Sequence, residues 1–203
     1  MTEIGLFPLA LVLLPSERVP LHIFEERYQE LIGECVANET EFGLVYADDD
    51  GIREIGTRAG VVEVLDQFDD GRMNVLVEGR ERFRLLELTS GRSFQTGDVT
   101  PVADADDRPE PGVVERALAL FGRLRELTRS DVEVPPATTE QLSYALASRV
   151  ELDPDIKLDL LADLSERARL DRVCELLEAA AVTVERQRVA AERAMQNGRV
   201  HLG

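Results

Sequence analysis

The chain has 203 residues, enough for one large domain or two small ones, and its 44% hydrophobic and 31% charged content is that of an ordinary globular protein. Its 23 basic and 40 acidic residues give a formal charge of −17, an acidity that repels phosphate backbones and anionic headgroups and argues against nucleic-acid and membrane partners. No apolar run approaches the ~20 residues of a membrane span. The apolar run at 4–14 follows Thr2 and Glu3 rather than Lys or Arg and is broken by Pro8, which is not the pattern of a secretory leader, so the expected location is cytoplasmic.

Residues 6–32 read LFPLALVLLPSERVPLHIFEERYQELI. Pro8, Pro15 and Pro20 withhold ladder N–H groups, which predicts short strand pieces with bends. A helix is predicted from about Phe24 to near Asn38, because Tyr28, Leu31, Ile32 and Cys35 recur at spacings of three and four. Residues 42–46, FGLVY, form a buried strand closed by Asp48-Asp49-Asp50-Gly51. That turn lacks the alternating ligands and closing Glu of a calcium loop and reads as solvated. Residues 60–67 (GVVEVLDQ) and 72–88 (RMNVLVEGRERFRLLEL) are two more strands, and Phe68-Asp69-Asp70-Gly71 between them carries the Asp-Gly of a hairpin. Gly79 predicts a bulge of the kind that curls a sheet towards a barrel. Residues 94–102 offer one further strand.

Composition changes at ADADDRPEPG, residues 103–112, the expected linker between a β-rich subdomain over 1–102 and a helical one over 113–203. Val114, Leu118, Phe121, Leu124 and Leu127 make one helical stripe, and Thr139 is placed to cap a second helix carrying Leu142, Ala145 and Leu146. Asp153-Pro154 opens a short helix with Ile156, Leu160 and Leu161. Asp163 and Glu166 have the spacing of a capping box ahead of the longest helix, whose inner face is Leu170, Val173, Leu177, Ala181 and Val184, with a stop at Asn197-Gly198. Its end carries Arg186, Arg188, Arg193 and Arg199 against Glu185 and Glu192, a basic segment predicted to project and leaving room for a homodimer with a second, acidic copy.

Signatures of chemistry are sparse. There is no GxxxxGK[ST], no GxGxxG after a strand, no GxSxG and no HExxH. Cys35 and Cys174 read as buried thiols in a reducing compartment, and with His22 and His201 they lack the spacing of a zinc site, so neither metal nor cofactor is expected. His22 and Glu25 allow an acid–base pair, but no nucleophile or oxyanion donor accompanies them, and the ring is expected to tie down the strand-to-helix corner. Arg80, Arg82 and Arg84, interleaved with Glu78, Glu81 and Glu87, read as cross-strand pairs on a solvated face rather than nucleic-acid contacts. Phe68, Asp69 and Met73 flank the hairpin tip and form the candidate recognition patch, with burial under a neighbouring loop as the other reading of Phe68 and Met73.

Several ordered blocks, FPLALVLLPSERVPLHIFEERYQELI, FGLVY, IGTRAGVVEVLDQFDDGRMNVLVEGRERFRLLEL and LDPDIKLDLLADLSERARLDRVCELLEAA, resemble the amino-terminal substrate-binding domain of the Lon ATP-dependent protease over roughly residues 4–181. The resemblance implies an α+β fold, a PUA-like β-barrel with one early helix followed by a helical bundle ending in a long helix. It also implies recognition of unfolded or tagged polypeptide. Phe7, Pro8, Pro20, His22, Phe24, Glu25, Arg27 and Tyr28, which carry the family pattern, are expected to be structural. The ATPase and Ser-Lys peptidase of Lon have no matching positions in these 203 residues, so neither ATP hydrolysis nor proteolysis is expected. The expected function is a non-catalytic protein- or polypeptide-binding module, an adaptor in proteolysis or quality control. The alternative is a small-molecule enzyme using His22 and Glu25.

Overall fold

A computed structural model describes residues 2–197, with side chains to residue 191. In chain order the elements are β1 (Thr2–Leu9), β2 (Arg18–Ile23), α1 (Glu26–Asn38), β3 (Phe42–Asp48), β4 (Gly51–Ile52), β5 (Ile55–Gln67), β6 (Met73–Thr89), β7 (Thr96–Pro101), α2 (Pro111–Thr128), α3 (Leu142–Ala147), α4 (Pro154–Ala162) and α5 (Glu166–Asn197). The chain forms two compact units, Met1–Asp106 with Ala147–Ser165, and Asp107–Leu146 with the chain from Glu166 onward. It therefore passes between units three times, where one passage at 103–112 was expected.

In the first unit the strands pair in the order β1-β7-β6-β5-β3, and β3 pairs back onto β1 in parallel, with Phe7 opposite Leu44. Five strands thus close on themselves, which leaves no free edge along the ring. β5 and β6 are longer than the ring requires. Their far halves extend from it, and β2 joins β6 there antiparallel, Leu21 opposite Val75, giving a three-stranded β2-β6-β5 sheet. The inner face of this sheet, Leu21, Ile23, Met73, Val75 and Val77, packs with Tyr28, Leu31, Ile32 and Cys35 of α1 in one cluster. Ile4, Leu6, Val45, Phe83 and Val99 form a second.

The bulge expected near Gly79 is present: β6 carries one residue more than β5 between the pairs Ala59–Gly79 and Thr57–Arg82. Only glycine fits at position 79, because a Cβ there would stand 2.1 Å from the Leu14 carbonyl oxygen. The loop before β2 is instead knitted to it, Ser16 N–H donating to Gly79 O and Gly79 N–H to Glu17 O, both at 2.9 Å.

The bulge also overturns the reading of Arg82. Arg80 and Arg84 stay near solvent, paired with Glu78 at 3.1 Å and Glu54 at 2.7 Å. Arg82 is turned inward and buried, its guanidinium donating to the carbonyls of Leu161 (2.7 Å) and Asp163 (2.8 Å) and to the Asp104 carboxylate. The extra residue puts Arg82 and Arg84 on the side opposite Arg80, and the two then part by their partners: Arg82 is taken by the Leu161 and Asp163 carbonyls, whereas Arg84 reaches out to the exposed Glu54. With Ala105 N–H donating to Leu164 O at 2.8 Å and Lys157 paired to the buried Glu17 at 2.5 Å, these contacts hold α4 in the first unit.

In the second unit α2 packs on α5. Ala117, Phe121 and Leu124 are buried on one helix and Leu170, Val173, Leu177 and Ala181 on the other, flanked by the pairs Arg116–Glu178 (3.0 Å) and Arg123–Glu185 (2.7 Å). The helix carrying Leu142 starts later than expected. Gln141, at φ 52°, precedes it and its carbonyl accepts from the Tyr144 and Ala145 N–H groups, the role expected near Thr139. Of the Asp163/Glu166 capping box only the first half forms, the Ser165 N–H donating to Asp163 Oδ1 at 2.8 Å. Glu166 accepts from Ser143 N–H (2.9 Å), Ser143 Oγ (2.6 Å) and the buried Arg169 (2.8 Å), because an unpaired guanidinium inside the unit would cost more than an exposed helix N–H. The side chains of 186–191 are exposed; Arg193, Arg199, His201 and the stop at Asn197-Gly198 lie outside the described side chains.

Candidate functional site

The β2-β6-β5 sheet has a second face, and its residues follow from strand alternation alone. Leu21 and Ile23 point in, so His22 and Phe24 point out. Met73, Val75 and Val77 point in, so Arg72, Asn74 and Leu76 point out. The pairings set these outward residues in rows across the sheet. His22 faces Asn74, and Asn74 faces Asp66. His22 Nδ1–H donates to Asn74 Oδ1 at 2.6 Å, and Asn74 Nδ2 donates to Asp66 Oδ2 at 2.9 Å, so one row is a continuous hydrogen-bonded string.

The next row ends the sheet. Phe68 N–H donates to Arg72 O at 2.9 Å, and one further step of the β2 register sets Phe24 beside Arg72. Phe24 is 62% exposed and Phe68 41%. His22 stacks on Phe24 with centroids 5.9 Å apart, and the Arg72 guanidinium lies 5.3 Å from the centre of the Phe68 ring. On the other side of the string Pro20 faces a half-buried Leu76, which also faces Glu63. Val62, Val64 and Leu65 are exposed on β5 nearby. Two aromatic rings, a proline and a leucine are thus gathered on one open sheet face.

Local chemistry fixes the tip. Three residues, Asp69, Asp70 and Gly71, bridge the Phe68–Arg72 pair, with Gly71 at φ 88° as such a hairpin demands. The Arg72 backbone N–H, at 3.2 Å, and its guanidinium hold the Asp70 carboxyl below its ordinary value. Gln29 of α1 donates to Phe24 O at 3.0 Å, and its Oε1 lies so near the turn that a Cβ on Gly71 would stand 2.5 Å from it. Gln29 thus bonds the corner and packs against the tip.

Residues 3–179 match the family model of the ATP-dependent protease La (LON) substrate-binding domain. The chain belongs to this Lon substrate-binding family. It is 27% identical to the Lon protease of Paraburkholderia phytofirmans over 89% of the chain and 24% of that protein, and 25% identical to Lon protease 1 of Hydrogenovibrio crunogenus over 86% and 24%. The chain thus spans about a quarter of the length of these curated relatives. Among solved structures, a Lon N-terminal domain protein from Xanthomonas campestris superposes with a TM-score of 0.66 at 26% identity, covering 85% of this chain and 97% of that one. The N-terminal domain of Mycobacterium avium complex Lon protease gives 0.64 at 16% identity over 87% and 98%, a likeness of fold.

Within this Lon substrate-binding domain the expected patch divides. Phe68 and Asp69 are exposed at the tip, whereas Met73 is 7% exposed and belongs to the cluster under α1. Among the residues expected to be structural, Phe7 and Tyr28 are buried, with ring centres 4.1 Å apart, and burial pushes the Tyr28 phenol up. Phe24 and Pro20 instead stand on the open face, on the opposite parity to Leu21 and Ile23. His22 and Glu25 are not brought together as an acid–base pair: His22 bonds Asn74, and Glu25 is held by Arg27 at 2.7 Å and 3.0 Å. Among the described residues no group of three or more His, Cys, Asp or Glu is placed to hold a metal, and no helix is long and apolar enough to cross a membrane. Cys35 and Cys174 are both buried free thiols, pushed up by burial.

Proposed function

We propose that this chain is a non-catalytic polypeptide-binding module that takes unfolded client segments on the open face of the β2-β6-β5 sheet, serving as a cytoplasmic adaptor in proteolysis or quality control. The exposure of Phe24 at 62% carries the reading. Among the described residues Phe24 is the most exposed of the large apolar side chains, and it lies in one patch with Phe68, Pro20 and Leu76. Membership of the substrate-binding family supports polypeptide as the class of partner.

The test is binding of a reduced, carboxymethylated protein by fluorescence anisotropy. The Phe24→Ser/Phe68→Ser double variant loses at least tenfold in affinity with its circular dichroism unchanged; equal affinity contradicts the assignment. The exposed arginine-bearing part of α5 supports a homodimer through that helix. Light scattering then gives twice the chain mass for the full chain and the monomer mass after truncation beyond Glu185, whereas a monomer in both cases removes the dimer.

A further inference from the structure

The open face carries an uneven charge, and the imbalance is local. Each arginine on or beside it already has a carboxylate partner: Arg18 with Glu78 at 2.8 Å, Arg72 with Asp70 at 2.7 Å, Arg27 with Glu25 at 2.7 Å and Arg80 with Glu78 at 3.1 Å. Along β5 and the tip the situation is reversed. Glu63, Asp66 and Asp69 are exposed, and no ion pair to them is formed among the described residues; Asp66 accepts only a neutral amide bond from Asn74 in the string above. These three carboxylates border the row of apolar groups, Glu63 across from Leu76, Asp66 across from Asn74, and Asp69 next to Phe68.

The face also shows the contact a cation would make there. The Arg72 guanidinium sits 5.3 Å from the Phe68 ring centre, while Phe24 presents a ring of the same kind with most of its surface open. Successive outward rows of a sheet are two residues, about 6.7 Å, apart, the same repeat as side chains on one side of an extended ligand.

We propose that this face selects extended segments in which aromatic or aliphatic residues are interspersed with lysine or arginine. The apolar side chains rest on Phe24, Pro20, Leu76 and Phe68, and the cationic ones reach Glu63, Asp66 and Asp69 or the open Phe24 ring. The proposal rests on the polypeptide-binding reading and narrows it. An acidic segment of equal hydrophobicity would bring carboxylates against carboxylates that have no counter-ion, and such juxtapositions discriminate between partners.

Three fluorescein-labelled unstructured peptides sharing one apolar pattern, with Lys, Gln or Glu at the intervening positions, test this on the full chain. Binding is expected in the order Lys, Gln, Glu, with at least tenfold between the extremes at low salt. The gap narrows at 1 M salt, where the screening length falls to about 3 Å. Because the whole chain is acidic, location is tested by two variants of equal charge change whose fold is checked by circular dichroism. Glu63→Lys/Asp69→Lys reverses the order, while Asp49→Lys/Asp155→Lys, exposed carboxylates on the β3–β4 turn and on α4, keeps it. Affinities within twofold across the peptides, or the same response from both variants, overturn the charge selection and leave polypeptide binding standing. Failure of all three peptides to bind overturns the polypeptide reading itself, and this inference with it.

Discussion

The two faces of the β2-β6-β5 sheet share one backbone and differ in parity. On β2 and β6, Leu21, Ile23, Met73, Val75 and Val77 meet α1, while Pro20, His22, Phe24, Arg72, Asn74 and Leu76 meet solvent. One face is filled by apolar packing. The other has its polar groups satisfied laterally, His22 to Asn74 to Asp66, and leaves its rings uncovered. Neighbouring residues such as Ile23 and Phe24 are both apolar, yet removing them should have opposite kinds of consequence. The proposal puts stability on one parity and recognition on the other.

Substitutions can break or sharpen that contrast. The largest effect is expected at the buried arginine: Arg82→Ala leaves the Asp104 carboxylate and the Leu161 and Asp163 carbonyls without this donor and costs about 3–5 kcal/mol in urea denaturation. Arg84→Ala, two residues on, removes an exposed pair and costs about 0–1 kcal/mol. Equal costs would show that Arg82 is not buried against these acceptors. Next comes Ile23→Ala, which opens a cavity against α1 and costs about 2–4 kcal/mol, set beside Phe24→Ser, which changes stability by no more than about 0.5 kcal/mol. A Phe24 variant that melts like the Ile23 variant would place the ring in the core.

The smallest effect is alkaline. Burial raises the Cys35 thiol above its ordinary value of 9.0, so the unfolded chain ionises first as pH rises. The stability that the neutral thiol contributes is full below pH 9 and is lost as pH climbs through its folded value. Cys35→Val should flatten the fall in melting temperature seen from pH 9 upward in the parent, and an identical slope in both would mean that the thiol is not sequestered under α1.

Much of this sheet was legible in the sequence because local rules decide it. Asp70-Gly71 sets the hairpin, Pro154 starts α4, and the three- and four-residue spacing of Tyr28, Leu31, Ile32 and Cys35 sets α1. Gly79 announced its bulge, but not its consequence. Which side Arg82 takes depends on carbonyls some 80 positions away in α4, and nothing near Arg82 encodes them. The same distance hid the membership of 147–165 in the first unit. At the site, Phe68 was visible as an apolar residue at a turn. Met73 shared that signature, but one strand pairing with Ile23 takes it inside. Phe24 was masked by its position before a helix, where an apolar residue ordinarily packs inward.

The claim that recognition belongs to the outward parity is tested most directly by photo-crosslinking. Phe24→p-benzoylphenylalanine and Leu86→p-benzoylphenylalanine place the same probe at two exposed positions, 62% and 49% in the parent chain, one on the proposed face and one beyond the bulge on β6. With a reduced, carboxymethylated protein as target, the account predicts crosslinking from position 24 at least fivefold above that from position 86. Equal yields, or a higher yield from position 86, would contradict it.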